Sequence, residues 1–167
     1  MTTEARLEAA LVKWVKSLGG TALKGATNFD TGYPDRTIYL PGAAAHVEVK
    51  GTSTRYHLTE KQKLWAGRII ASGMPYYIVE NDAQLEQLKT EVFLDHTDSD
   101  GRIYRLNGFD LVLLLDNTRT TFEVLSTKEA VPKKIMSGFV SDSLPNTIYR
   151  IFVCLEESFP NTNYCDI

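Results

Sequence analysis

The chain has 167 residues, 43% hydrophobic and 23% charged, the size and composition of one globular domain that buries a core without staples. No run approaches the roughly 18 apolar residues of a membrane-spanning helix, and the first residues lack the basic and apolar regions of a secretory signal. Two cysteines, Cys154 and Cys165, make neither a disulfide framework nor a metal quartet, so a cytoplasmic protein with no membrane partner is expected.

The net charge of −3 speaks against a nucleic-acid partner. Yet residues 1–80 carry ten basic and seven acidic side chains, and residues 81–167 carry eight and fourteen. The single figure averages a basic half with an acidic one.

Leu7, Leu11, Trp14, Val15 and Leu18 recur at helical spacing from about Thr3 and stop at Gly19-Gly20. After a loop over 25–32, Thr37-Ile38-Tyr39-Leu40 and His46-Val47-Glu48-Val49-Lys50 flank Pro41-Gly42, the pattern of a hairpin. Thr59-Glu60-Lys61-Gln62 has the spacing of a capping box and opens a helix to about Ala71. Trp65, Ala66, Ile69 and Ile70 are its buried face. Gly73-Met74-Pro75 ends it, Tyr76-Tyr77-Ile78-Val79 is a strand, and Asn81 or Asp82 caps a short helix to about Thr90. The order α-β-β-α-β-α describes a compact α/β unit with helices on a mixed sheet. Beyond it, 95–101 is a polar loop without the spaced acids of a calcium-binding hand. Strands are expected over 103–106, 109–115, 120–125 and 147–155.

Side chains alternate along a strand, so Glu48 and Lys50 share a face opposite Val47 and Val49. A turn at Pro41-Gly42 brings Asp35 roughly beside Glu48. Two carboxylates and an ammonium then meet on a rigid sheet, which suits a hard divalent cation such as magnesium. Such a cation offsets charge developing on a phosphoryl oxygen, and a neighbouring lysine adds to that effect. The chemistry is that of phosphodiester hydrolysis.

This constellation resembles the PD-(D/E)XK nuclease superfamily, and within it the virus-type replication–repair nuclease (VRR-Nuc) module. Helix one carries a glutamate and runs into Gly19-Gly20-Thr21-Ala22-Leu23-Lys24; Gly32-Tyr33-Pro34-Asp35-Arg36 matches Gly-x-Pro-Asp-Arg; Glu48-Val49-Lys50 follows the hairpin; and Leu58-Thr59-x-x-Gln62-x-x-Trp65 leads to Gly73 and a closing strand. The likeness spans residues 3–90. It implies a restriction-endonuclease-like core over 1–90, with 91–167 a β-rich acidic extension. It also implies a DNA endonuclease of bacterial or phage-infected cells, some of whose relatives act on branched structures. Asp35 and Glu48 would bind magnesium, or manganese in its place, together with the Val49 carbonyl. Lys50 would be the catalytic lysine, Gln62 would line the site, and Glu8 would reach the metal through water, with Glu4 its rival.

Around that site Lys24, Arg36, Arg55 and Lys61 are candidate phosphate contacts, which position without reading sequence. His46 shares the face of Glu48 and Lys50. Tyr33 and Tyr56 either stack on an unpaired base or pack. In the second half, Asp110 and Glu123 repeat the thirteen-residue separation of Asp35 and Glu48, with Leu125 at the lysine position. Its roles are open between extending the sheet, forming a homodimer contact and docking another protein. The reading from a different class is a catalytically silent nuclease-fold protein that binds DNA or protein. A small-molecule enzyme has no support, because the chain holds neither a glycine-rich phosphate loop nor a nucleophile elbow.

Overall fold

A computed structural model describes residues 2–25, 31–51, 58–106, 111–128 and 130–158. Helix α1 (Thr3–Ser17) starts at Thr2, whose hydroxyl accepts the Ala5 N–H at 3.2 Å, and it buries Leu7, Leu11 and Val15. Strands β1 (Thr21–Lys24), β2 (Arg36–Leu40) and β3 (Ala43–Val49) follow, then α2 (Glu60–Ala71), β4 (Tyr76–Val79) and α3 (Asp82–Glu91). The four strands form a sheet in the order β1-β2-β3-β4. The first three are antiparallel; β4 returns parallel to β3 after the crossover through α2. Asn81, not Asp82, caps α3, its side chain accepting the Gln84 N–H at 2.9 Å.

The two faces of this sheet have different coverings. Ile38, Val47, Val49, Tyr77 and Val79 form one core cluster with Leu7, Leu11 and Val15 of α1 and Leu85 and Leu88 of α3. Tyr76 and Ile78 point the other way, into a second cluster with Ala66, Ile69 and Ile70 of α2. Strand alternation therefore commits Val47 and Val49 to the α1 side and leaves Glu48 facing α2.

The second half begins with an antiparallel sheet of β5 (Ile103–Leu106), β6 (Leu111–Leu115), β7 (Thr121–Ser126) and β8 (Lys133–Phe139), in chain order. It closes with α4 (Leu144–Ser158). The structure corrects the expected strand over 147–155: this segment is helical. Pro145 in the first turn lacks only an N–H that no helix uses there. Ile148, Ile151, Phe152 and Leu155 recur at i, i+3, i+4 and i+7 and are all buried. Their β-branched and aromatic character reads as strand, but their period is helical. Strands β1 and β8 have no counterpart among the expected elements either. Both are mostly exposed and lack clear apolar alternation, β1 with one side chain in four partly covered, so pairing to a neighbour defines them. Among the described residues the fold is mixed α/β with two four-stranded sheets.

Helix α4 lies on α2. The cluster holding Ala66, Ile69 and Ile70 also holds Leu113, Val124, Ile148, Ile151 and Leu155, so apolar packing continues from the first sheet through α2 into the second half. Lys63 of α2 is only 5% exposed and is held by Glu60 at 3.1 Å and by Glu156 of α4. Tyr149 of α4 donates its hydroxyl to the other oxygen of Glu60. None of the described helices is long and apolar enough to cross a membrane.

Candidate active site

Asp35 occupies the residue before β2. The register pairing Arg36 with Val47 puts it opposite Glu48, and its Oδ2 accepts the Val49 N–H at 2.8 Å. The N–H and C=O of one strand residue point to the same edge, so the Val49 carbonyl opens toward Asp35 as well. The loop carrying Asp35 lies against the first turn of α2, an approach that requires Gly32. A Cβ there would fall 2.5 Å from Lys61 Cβ and 2.9 Å from the Gln62 nitrogen.

Glu48 is 2% exposed. Its Oε1 accepts from Lys50 Nζ at 2.7 Å and from the Gln62 amide. Its Oε2 is buried without a hydrogen-bond partner among the described residues. Gln62 also closes the capping box: its Oε1 accepts the Thr59 N–H at 2.9 Å and Lys50 Nζ at 3.1 Å, and its own N–H donates to the Thr59 hydroxyl at 3.2 Å. One amide thus serves both the helix start and the site. Gln62→Ala is expected to remove both services. Urea denaturation should show a stability loss of about 1 kcal/mol, the usual worth of a cap.

Both carboxylates have their pKa raised from the ordinary value. Burial is the main cause for Asp35, opposed by the Val49 N–H and Lys50 and reinforced by Glu8. Burial is again first for Glu48, followed by repulsion from Asp35, and Lys50 only partly offsets them; its pKa is pushed up to about 7. Two desolvated carboxylates share one ammonium, which is bonded to Glu48, while the Arg36 charge near Asp35 is paired with Glu8, and both carboxylate pKa values stay raised. The unpartnered Oε2 of Glu48 is the donor such a site presents to a cation. Among the described residues no three His, Cys, Asp or Glu side chains converge as a metal group. The oxygens gathered at this end of the sheet are those of Asp35 and Glu48, with the Val49 carbonyl beside them. That set fits magnesium, which retains several waters, better than a cation needing a full protein cage.

The chain resembles a solved VRR_NUC domain. The likeness covers 53% of this chain and 96% of that one, at 25% sequence identity and a TM-score of 0.48. No family model matches the chain, and no curated protein does.

Outside the cluster of Asp35, Glu48, Lys50 and Gln62, other candidate residues are placed differently. Glu8 accepts from Arg36 Nε at 2.7 Å, so each occupies the other, although Glu8 still raises the Asp35 pKa by repulsion. Glu4 turns toward the end of β3, its Oε2 4.0 Å from where a Cβ of Gly51 would sit. Lys24 pairs in register with Arg36 and is exposed. Lys61 donates to the Thr31 hydroxyl at 2.6 Å. Arg55 and Tyr56 lie outside the described residues. Tyr33 packs edge-on against Trp65 and His46, and His46 Nδ1 sits 3.1 Å from the Thr37 hydroxyl; burial lowers the His46 pKa. Glu123 pairs with Lys134 at 3.0 Å on the second sheet, and Asp110 lies outside the described residues. Tyr76 is the neighbour that sequence reasoning passes over. Its hydroxyl is buried without a partner among the described residues, and its pKa is raised well above the ordinary value by burial and then by Glu48 and Asp35. A tyrosine in an apolar strand carries no signal for this.

Proposed function

We propose that the chain is a magnesium-dependent deoxyribonuclease of the PD-(D/E)XK type, with manganese able to substitute. It hydrolyses phosphodiester bonds in DNA and favours branched or flapped substrates. Its setting is bacterial or phage replication, repair or recombination in the cytoplasm. Residues 1–90 carry the site and residues 91–167 brace it. The observation that carries this reading is Glu48: a buried carboxylate with one oxygen unpartnered, set beside Asp35 and bonded to Lys50 on a rigid strand.

Asp35, Glu48 and the Val49 carbonyl would hold a divalent cation, which would supply Lewis-acid chemistry that offsets charge on the scissile phosphate. The Lys50 ammonium, 15% exposed, reaches the site edge and stabilises charge developing on a phosphoryl oxygen. Gln62 keeps both Lys50 and Glu48 in place. The α1 glutamate Glu8 holds Arg36 and adds negative potential at Asp35.

The test is cleavage of supercoiled, linear, flapped and four-way-junction DNA with magnesium, manganese or calcium, beside Lys50→Ala. Cutting with the first two metals is expected, fastest on branched DNA. Lys50→Ala should lose about 10²–10³-fold, the scale of one lost transition-state donor. No cutting of any substrate, or equal cutting by the variant, overturns the reading and leaves a silent DNA- or protein-binding factor.

A further inference from the structure

The solvent face of α1 carries a trough that shares only Glu8 and Arg36 with the surroundings of the site. Ala5, Glu8, Ala9, Val12, Lys13 and Lys16 line it together with Arg36 of β2. The α1 members recur at i, i+3, i+4, i+7, i+8 and i+11, which is one stripe of a helix. The two alanines keep its floor low, while the charged side chains stand along it.

Its charge is unbalanced. Lys13 and Lys16 are exposed and have no ion pair among the described residues, and neither has Lys24, which lies across from Arg36 in the sheet. Elsewhere Lys50, Lys63, Lys89 and Lys134 carry carboxylate partners, while Lys61, Lys128 and Lys133 carry none among the described residues, so what sets Lys13 and Lys16 apart is their place together along one groove beside Arg36. The trough's sole acidic lining residue is Glu8, and its Oε1 is taken by Arg36 Nε. A guanidinium has five N–H donors, so that bond leaves Arg36 with others to give. Surface lysines kept apart from carboxylates, along a groove and beside an arginine, are built to receive an anion.

The trough also has a direction. Its Glu8–Arg36 end lies beside Asp35 along the chain, where Arg36 is the next residue and alternation turns it to the α1 side of the sheet while Asp35 faces the α2 side. From there it runs toward the end of α1 through Lys13 and Lys16, which lie one turn apart, about 4.5 Å along the axis. We infer that this trough seats the phosphodiester backbone of a DNA strand leading away from the site, with Lys13, Lys16 and Arg36 contacting its phosphates. The inference rests on the nuclease reading for the identity of the polyanion. Contacts of this kind are independent of base sequence and sensitive to salt.

Binding can be measured without cutting. In EDTA, fluorescence anisotropy would follow a labelled 20-base-pair duplex and its single strand over a range of salt concentrations. The proteins are the wild type, Lys13→Gln/Lys16→Gln, and a charge-matched control, Lys133→Gln/Lys134→Gln, on β8 of the other sheet. The α1 double variant should bind about tenfold more weakly or worse at low salt. Its dependence of log affinity on log salt should be shallower by about one unit per lysine removed. The control should match the wild type. A larger loss on the duplex or on the single strand identifies which form occupies the trough. Unchanged binding by the α1 variant, an equal loss in the control, or no DNA binding by the wild type overturns the inference. Loss of binding in a protein that cuts nothing would keep the trough while removing the nuclease.

Discussion

Glu48→Gln is expected to abolish cutting and, in metal-free protein above pH 7, to raise the melting temperature. The two effects come from the same property of the site. Glu48 is raised from 4.5 to about 7 by burial and by Asp35. The folded protein therefore holds a proton that the unfolded chain has released over that interval. Stability falls as pH climbs from about 4.5 to 7 and stays low above it. A shift of this size is worth on the order of 3 kcal/mol. Glutamine keeps the shape and never ionises, so the variant escapes the penalty at pH 8 and shows no advantage at pH 4.5. Magnesium separates the proteins in the opposite sense. It should raise the melting temperature of the wild type and leave the variant unmoved, because the variant has lost a charged ligand. The rate should drop by several kcal/mol in barrier, ~10³-fold or more. Thermal melts at pH 4.5 and 8 with and without magnesium, together with a cleavage assay, check all of this. A destabilised variant at pH 8 would mean that Lys50 and Gln62 fully compensate the buried charge.

Much of this site is legible in the chain because its parts are local or set by counting. A turn at Pro41-Gly42 and a period of two are enough to put Asp35 opposite Glu48 and to separate Glu48 from Val49. The capping box of Thr59 and Gln62 lies within one helical turn, so its pattern survives any tertiary arrangement. What could not be read depends on contacts across the fold. Glu8 sits on the right helix, but its partner is Arg36, 28 residues away in sequence, a choice that only packing makes. Lys63 looks like an ordinary exposed helical lysine until α4 covers it. The helix α4 was hidden by its own residues: Ile148, Ile151 and Phe152 have strand character, and their helical period is decisive only when weighed against α2.

Gly67→Ala is expected to destabilise the protein, although alanine favours a free helix over glycine by about 1 kcal/mol. Gly67 faces α4 at closest approach. A Cβ there would fall 2.4 Å from the Pro145 carbonyl oxygen and 3.4 Å from the Tyr149 nitrogen. Both are backbone atoms, so no side chain can rotate away, and the helices must separate. Forcing extra volume into packed contact costs about 1–3 kcal/mol or more, and it outweighs the propensity gain. The melting temperature should fall by several degrees, since each kcal/mol is worth about 2–4 °C in a chain of this size. Separation would also loosen Glu60 and Lys63 from Tyr149 and Glu156. Those contacts lie on the same first turn of α2 that carries Gln62, so cutting should weaken along with stability. Arg68→Ala, at an exposed position where the guanidinium sits 5.2 Å from the centre of the Trp65 ring, should cost less than the Gly67 change, about 0.5–1 kcal/mol. The sign of the Gly67 effect decides whether residues 91–167 brace the site. A rise would place α4 elsewhere and make the second half dispensable. A fall means that removing it uncovers the side of α2 that meets α4 around Lys63 and Gly67, and breaks up the cluster that Ala66, Ile69 and Ile70 share with Ile148, Ile151 and Leu155.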